Sequence, residues 1–413
     1  MDDANGSQKQ RLERLLDIAA DYRGLSRREL AKHLGRDPSR LVPESGNIKL
    51  DFLQRLAELL DWSEQMVIDF TKHNGGEHVR EGQSGRFGPL QRGSRQAQVA
   101  GEHANAAKLA QQAYAVAAFP NQRLWACVRE ACAWDGLGHY DRALRTAQRG
   151  LRQVGTSGLV RRVLKSNLAN AYYTLGHLDE ASAISHDLVL WYRGHRPKVY
   201  PDQTTEAFAH YVLGNTLRRM VPETSKHGTT LARRARDQLR KSERLYLKLA
   251  KQRCDASFAG IANTCRGGVI ELEVELAMRA ATDALQEIWS ALDVVRDPAT
   301  CQSGDWLESY AWWCIFGCNI ARRHLSDERQ LQRYMALFTE KADGIAEYLD
   351  NWALRERVFF FEHQRHESVS DFTGQRDPVI LGRDELRALV GTIGRFPSFR
   401  ATGEAMLRAA HIV

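Results

Sequence analysis

Residues 165–189 read KSNLANAYYTLGHLDEASAISHDLV. Leu168, Ala169 and Tyr172 share one helical stripe and open a first helix. Gly176 supplies a turn, and Ala181 lets a second helix approach closely. An earlier stretch, Cys132 to Gly150, reads CAWDGLGHYDRALRTAQRG. In it Trp134 stands for Tyr172, Gly138 for Gly176 and Ala143 for Ala181, all at an offset of 38 residues. The unit is therefore a helix pair with a small insertion. One pair cannot bury its own apolar face, whereas a stack of pairs can.

Working outward, weaker openings recur at Leu213-Gly214 with Leu217, at Ile261-Ala262 and at Phe316-Gly317. A large-small pair, an aromatic, a turn glycine and an alanine in this order resemble the tetratricopeptide repeat. The resemblance implies an α-solenoid over residues 99–366, with room for six or seven helix pairs. Helices such as Leu231 to Lys251 exceed the ideal unit. The last residues, 367–413, read as a capping segment: a loop over DFTGQRDPVILG, then two short helices.

An asparagine follows the small residue of three openings: Asn170, Asn215 and Asn263. Asn319 lies one residue beyond the equivalent slot. In a tetratricopeptide-like stack this slot faces the concave groove. Arg218, Arg219 and Arg266 follow within a turn, and Tyr173 is the matching residue in the clearest repeat. Asn carries a donor and an acceptor, and Arg a fork for carboxylates. Together they suggest a groove for an extended peptide, acidic or carboxyl-terminal. The same asparagines can equally bond to the next repeat and hold the stack.

Residues 1–73 read as a separate helical unit. Arg11 to Arg23 carries Leu12, Leu15, Leu16 and Ala19 on one stripe. Ser26 and Glu29 form a capping-box pair before a helix from Arg27 to Leu34, and Gly35 ends it. Asp37 caps a third helix begun by Pro38 and limited by Pro43 to about a turn and a half. Asp51 caps a fourth, with Phe52, Leu53, Leu56, Leu59 and Leu60 facing inward, and Trp62 and Val67 close the core. Two helices joined by a short glycine turn are the unit that lays a helix in a major groove. Arg36, Ser39 and Arg40 then form the groove-facing set, and Arg27, Arg28, Lys32 and Lys49 reach phosphates.

Ser26, Glu29, Leu30, Ala31, Leu34 and Gly35, then Glu44 and Gly46, then Leu53, Leu56, Ala57 and Leu60 resemble the XRE-type, lambda-repressor-like DNA-binding domain. Where that family usually has glutamine after the serine, this chain has Arg27. The charges of residues 1–73 nearly cancel, and the positive ones gather between 27 and 40. Residues 74–98 hold six glycines and read as a flexible linker.

The chain has 413 residues, 43% hydrophobic and 26% charged, which suits two or three globular domains. Its formal net charge of +7 permits nucleic acid or an acidic ligand without requiring either. No apolar run of about 18 residues exists to span a membrane. MDDANGSQKQ has no signal-peptide core. Seven cysteines in no paired framework point to a reducing cytoplasm. Phosphate-cradling glycine loops, a G-x-S-x-G elbow, H-E-x-x-H and C-x-x-C are all missing, so no catalysis, cofactor or metal is expected. Cys314 and Cys318, four apart among Trp312, Trp313 and Phe316, read as core.

The expected fold is thus all-α: a small helix-turn-helix bundle followed by a tetratricopeptide-like α-solenoid. That order resembles the peptide-responsive transcriptional regulators of Gram-positive bacteria. The resemblance implies a dimer on double-stranded DNA, controlled by a peptide or protein effector in the repeat groove. The alternative is a repeat adaptor that binds proteins, including one in a toxin-antitoxin or phage-defence system.

Overall fold

The computed structural model describes residues 25–42, 48–60, 84–221, 228–293, 297–300, 304–373 and 380–411, with scattered positions before and between them. Among these residues there are seventeen α-helices and no strand, so the chain is all-α. It divides into two compact units, Met1–Asn167 and Leu168–Val413.

In the first unit, α1 (Arg27–His33) is capped by Ser26, whose hydroxyl accepts from the Glu29 amide while the Glu29 carboxylate accepts from the Ser26 amide at 2.8 Å. Gly35 follows with φ +65°, a left-handed conformation that glycine adopts freely. Asp37 caps the next turn through the Ser39 amide. That turn differs from expectation. It is a three-residue 3-10 turn, Pro38–Arg40, because Leu41 leaves it at once to bury in the core. The next helix, α2 (Leu50–Leu60), starts one residue early, so Asp51 sits in its first turn rather than at its cap. Leu12, Leu15, Leu16, Ala19, Leu30, Ala31, Leu34, Phe52, Leu53, Leu56, Ala57, Leu60 and Val67 are all buried, as their stripes require. Glu44, Gly46 and Trp62 lie outside the described residues.

Residues 84–98 are not a linker. They form α3 (Ser84–Val99), helical through three glycines and Pro89. It packs on α4 (His103–Val116), where the buried Ser94 hydroxyl donates to the Ala106 carbonyl at 2.9 Å. Then come α5 (Pro120–Gly136), α6 (Tyr140–Leu151) and α7 (Gly158–Leu175), which crosses into the second unit.

The 38-residue offset is physical. Gly138 and Gly176 both turn with positive φ, +70° and +87°. The His139 and His177 amides donate back to the Trp134 and Tyr172 carbonyls, each at 2.9 Å. Each histidine then sets its ring edge-on to the aromatic of its own repeat, at 5.8 Å for Trp134 and 5.9 Å for Tyr172.

In the second unit, α8 (Leu178–Gly194), α9 (Tyr200–Arg219), α10 (Gly228–Arg253) and α11 (Ala256–Glu275) pack in succession. After α12 (Ala281–Leu292), α11 also packs on α13 (Gly304–His324), which leads to α14 (Glu328–Tyr348) and α15 (Trp352–Thr373). Consecutive packing of this kind is solenoid-like. α15 runs past residue 367, the expected start of the cap. α16 (Arg383–Arg395), a turn at Pro397–Phe399 and α17 (Arg400–Ala409) pack back on α15, and Ser398 lies beside Gly176.

Gly260 marks the tightest backbone approach in this unit. A Cβ there would lie 2.6 Å from the Asp305 carbonyl carbon and 2.8 Å from the Trp306 nitrogen. Backbone cannot swing aside as a side chain can. Gly260→Ala is expected to lose about 1–3 kcal/mol by overpacking, although alanine favours a helix by about 1 kcal/mol. A lower urea midpoint at unchanged slope checks this, and an unchanged or higher midpoint contradicts it.

Candidate ligand-binding cavity

The second unit holds a cavity of about 280 Å³. Its wall combines Tyr173 and Thr174 from the end of α7, Arg218 and Arg219 from the end of α9, Trp312, Asn319, Arg322 and Arg323 from α13, and Glu356, Arg357, Phe360 and Phe361 from α15. Phe396, where α16 ends, completes it. Five arginines face one glutamate on this wall.

Glu271 of α11 lies behind the arginines and is 2% exposed. It accepts from Arg218 Nη1 at 2.7 Å, from Asn319 Nδ2 at 3.4 Å and from Arg323 Nη1 at 3.5 Å. Burial works against the charge of Arg218, but Glu271 and Tyr173 together more than offset it and hold the guanidinium above its usual range. Arg218 also stacks over the Phe316 ring, 4.5 Å from its centroid. Glu356 does for Arg357 what Glu271 does for Arg218, against the same opposing burial.

Arg219 differs. Its Nη1 donates to the Tyr173 carbonyl at 2.9 Å, and its guanidinium sits over the Tyr173 ring at 5.1 Å. Among the described residues no carboxylate lies within 4 Å of it. Burial pushes its pKa down, and Arg357 and Arg218 push the same way against Tyr173 and Glu356. The cavity therefore presents a cation held by a carbonyl and a ring, with planar aromatics beside it. A carboxylate entering there would gain a forked, charge-assisted partner.

The cavity gathers four of the residues singled out in the sequence: Tyr173, Arg218, Arg219 and Asn319. Asn215 stands behind it, 2% exposed, donating to the Tyr211 carbonyl and accepting from Arg218 Nε at 3.3 Å. Asn263 instead ties α11 to α13. Its Nδ2 donates to the Ser309 hydroxyl at 2.8 Å, and its carbonyl accepts from Trp313 Nε1 at 2.7 Å. Arg266 lies elsewhere, 3.7 Å from Glu287. Asn170 does not line the cavity. The row is therefore split between stack and site.

Arg322 and Arg323 were open to sequence reasoning and missed. NTLRR at 215–219 and NIARR at 319–323 are the same pattern, an asparagine followed at three and four residues by arginines. Glu356, Arg357 and Phe360 carried no such signal, because α15 repeats nothing earlier.

In the first unit, Arg27, Arg28, Lys32, Ser39, Arg40 and Lys49 are exposed. The Ser39 hydroxyl is taken up by Asp37 at 2.5 Å, and Arg36 is half-buried over Phe52 at 5.4 Å. Cys127, Cys265, Cys314 and Cys318 are buried, and burial pushes the thiols of Cys265 and Cys314 up to about 12. Asp305 and Glu308 do begin α13. Burial raises Asp305 to about 6, with Glu308 and Asp255 adding to it. Among the described residues no group of three His, Cys, Asp or Glu side chains is placed to hold a metal ion, and no helix is long and apolar enough to cross a membrane.

No protein-family model matches the chain, and no curated protein is significantly similar to it. The family likenesses rest on the quoted residues alone.

Proposed function

We propose that the chain is a non-enzymatic helical-repeat interaction protein. Its second unit takes the acidic or carboxyl-terminal end of a peptide or protein partner into the arginine cavity. Arg219, which has no carboxylate within 4 Å among the described residues on a wall of five arginines and one glutamate, carries this reading. A volume of about 280 Å³ suits an end group rather than a whole extended segment. The aromatic rings would cover the aliphatic stem of that group, and Arg219 would meet its charge.

The probe is acetyl-tetraglutamate with a free carboxyl terminus, compared with acetyl-tetraglutamine amide. Calorimetric titration of the full chain near physiological salt is expected to show binding of the first and not the second. Arg219→Ala should weaken that binding about 10-fold or more, the worth of one charged hydrogen bond. Equal binding of both peptides, or no loss with Arg219→Ala, contradicts the reading.

A second reading is a cytoplasmic, homodimeric transcriptional regulator with such a partner as its effector. The capping box at Ser26 and Glu29, the left-handed Gly35 and the exposed Arg27, Arg28, Lys32 and Arg40 favour it. The three-residue turn at Pro38–Arg40 gives it a short reading element. Genome-wide capture of DNA on the full chain, repeated with Arg36→Ala/Arg40→Ala, tests it. A shared palindrome lost in the variant supports a dimeric regulator, and no enrichment leaves the adaptor reading alone.

A further inference from the structure

We propose that the outer face of α10 is a docking track for the phosphate backbone of duplex DNA, independent of base sequence. Helix α10 carries nine Lys and Arg against Asp237 and Glu243, a net +7. The whole chain has a formal net charge of +7, so every other residue together balances to zero. The net positive charge of this one helix equals that of the whole chain.

The placement is as uneven as the count. Arg233, Arg240, Arg244, Lys248 and Lys251 are all exposed. At 3.6 residues per turn they fall within about a quarter of the helix circumference, in a row about 27 Å long. Ala232, Ala235, Leu239, Ser242, Tyr246 and Leu249 fill the opposite, buried face. Arg240 is bonded to Glu273 at 2.7 Å and remains 44% exposed. Among the described residues the other four have no carboxylate within 4 Å. The row is extended by Arg193 and Arg196 at the end of α8, both exposed. Those two share the surroundings of Glu206 and His210 with Lys241, Arg244 and Lys248.

A solvated helix face usually pairs its charges with opposite ones four residues on. Here Arg236 and Arg240, Arg240 and Arg244, and Arg244 and Lys248 follow one another at that spacing, all alike, with Asp237, four after Arg233 and 3.1 Å from Arg236, the one acid on the face. Such pairs destabilise a helix, and Glu273 and Asp237 offset only part of this run, which leaves it open to an outside anion. A duplex presents one phosphate per about 1.7 Å of axis, a continuous row of like charge that suits a straight row of cations. Leu247 is the one large exposed apolar side chain beside the row, fewer than a bilayer-binding helix or the centre of a protein interface would carry. The proposal uses neither the cavity nor the first unit, so it stands or falls apart from the peptide reading.

The test is binding of the full chain to a fluorescent random-sequence duplex of about 20 bp across a series of salt concentrations. The comparison is a variant with Arg233→Gln, Arg240→Gln, Arg244→Gln, Lys248→Gln and Lys251→Gln. Wild type is expected to bind at low salt. The variant should lose about 100-fold or more there, and its slope of log affinity against log salt should be shallower by about four. Arg36→Ala/Arg40→Ala should keep the full slope. All five side chains are exposed, so the variant should melt no lower than wild type. No duplex binding by wild type, or an unchanged slope in the variant, overturns the proposal. So does tetraglutamate or single-stranded RNA displacing the duplex at equal charge concentration.

Discussion

Replacing Glu271 with alanine is expected to cost about 3–5 kcal/mol of the stability of the second unit. One carboxylate of α11, 2% exposed, holds Arg218 of α9 together with Asn319 and Arg323 of α13. Arg218 is 5% exposed, so its charge is left poorly solvated once its partner is gone. A buried cation without its anion costs far more than the pair was worth, because desolvation has already occurred. Glu271→Gln keeps an acceptor but no charge, so its loss should be smaller. Urea unfolding followed by tryptophan fluorescence checks both. A loss below about 1 kcal/mol for the alanine variant would contradict the account. The same variant should bind tetraglutamate more tightly, since the peptide then supplies the missing carboxylate.

Glu130→Ala should cost the first unit as much, about 3–5 kcal/mol. Glu130 of α5 is 2% exposed. It accepts from Gln111 of α4 at 3.2 Å and Trp134 at 3.1 Å, and forms an ion pair with Arg149 of α6, itself 3% exposed. The Arg149 guanidinium also lies over the Tyr114 ring at 4.4 Å. Three successive helices meet on one carboxylate. The decisive comparison adds Arg149→Met to Glu130→Met. An apolar pair of similar volume removes both charges at once, so the double variant should be more stable than Glu130→Met alone. A double variant no better than the single one would mean that the pair is not the source of the loss.

Local signals were legible in the sequence where they closed on themselves. The Ser26–Glu29 box, the turn at Gly35 and the glycine turns 38 residues apart need only neighbouring residues, and all form. Of the segment 74–98, residues 74–83 lie outside the described residues, and 84–98 misled because glycine content was weighed without its packing. Gln91 and Gln98 of α3 reach the Trp125 and Cys132 carbonyls of α5, and Leu109 of α4 packs against Gly93, so tertiary contact overrides propensity. The asparagine row divides for a related reason. Slot position in a repeat says which way a residue leaves its helix, not whether the next helix is there to meet it. Ser309 and Trp313 meet Asn263, and Arg218 meets Asn215. The aromatic and acidic wall of the cavity comes from α15, which no repeat pattern announces.

The cavity rests on one physical idea, that a surplus of arginine over carboxylate on its wall is held for an incoming acid. Hydrogen exchange of the full chain, with and without saturating acetyl-tetraglutamate, tests it most directly. The account predicts slower exchange at the ends of α7 and α9, across Trp312 to Arg323 of α13 and across Ala353 to Phe361 of α15, the segments that line the cavity. The basic face of α10 is the competing place for an acidic peptide to settle. Protection confined to α10, or no protection at all under binding conditions, would contradict the claim that the cavity is the binding site.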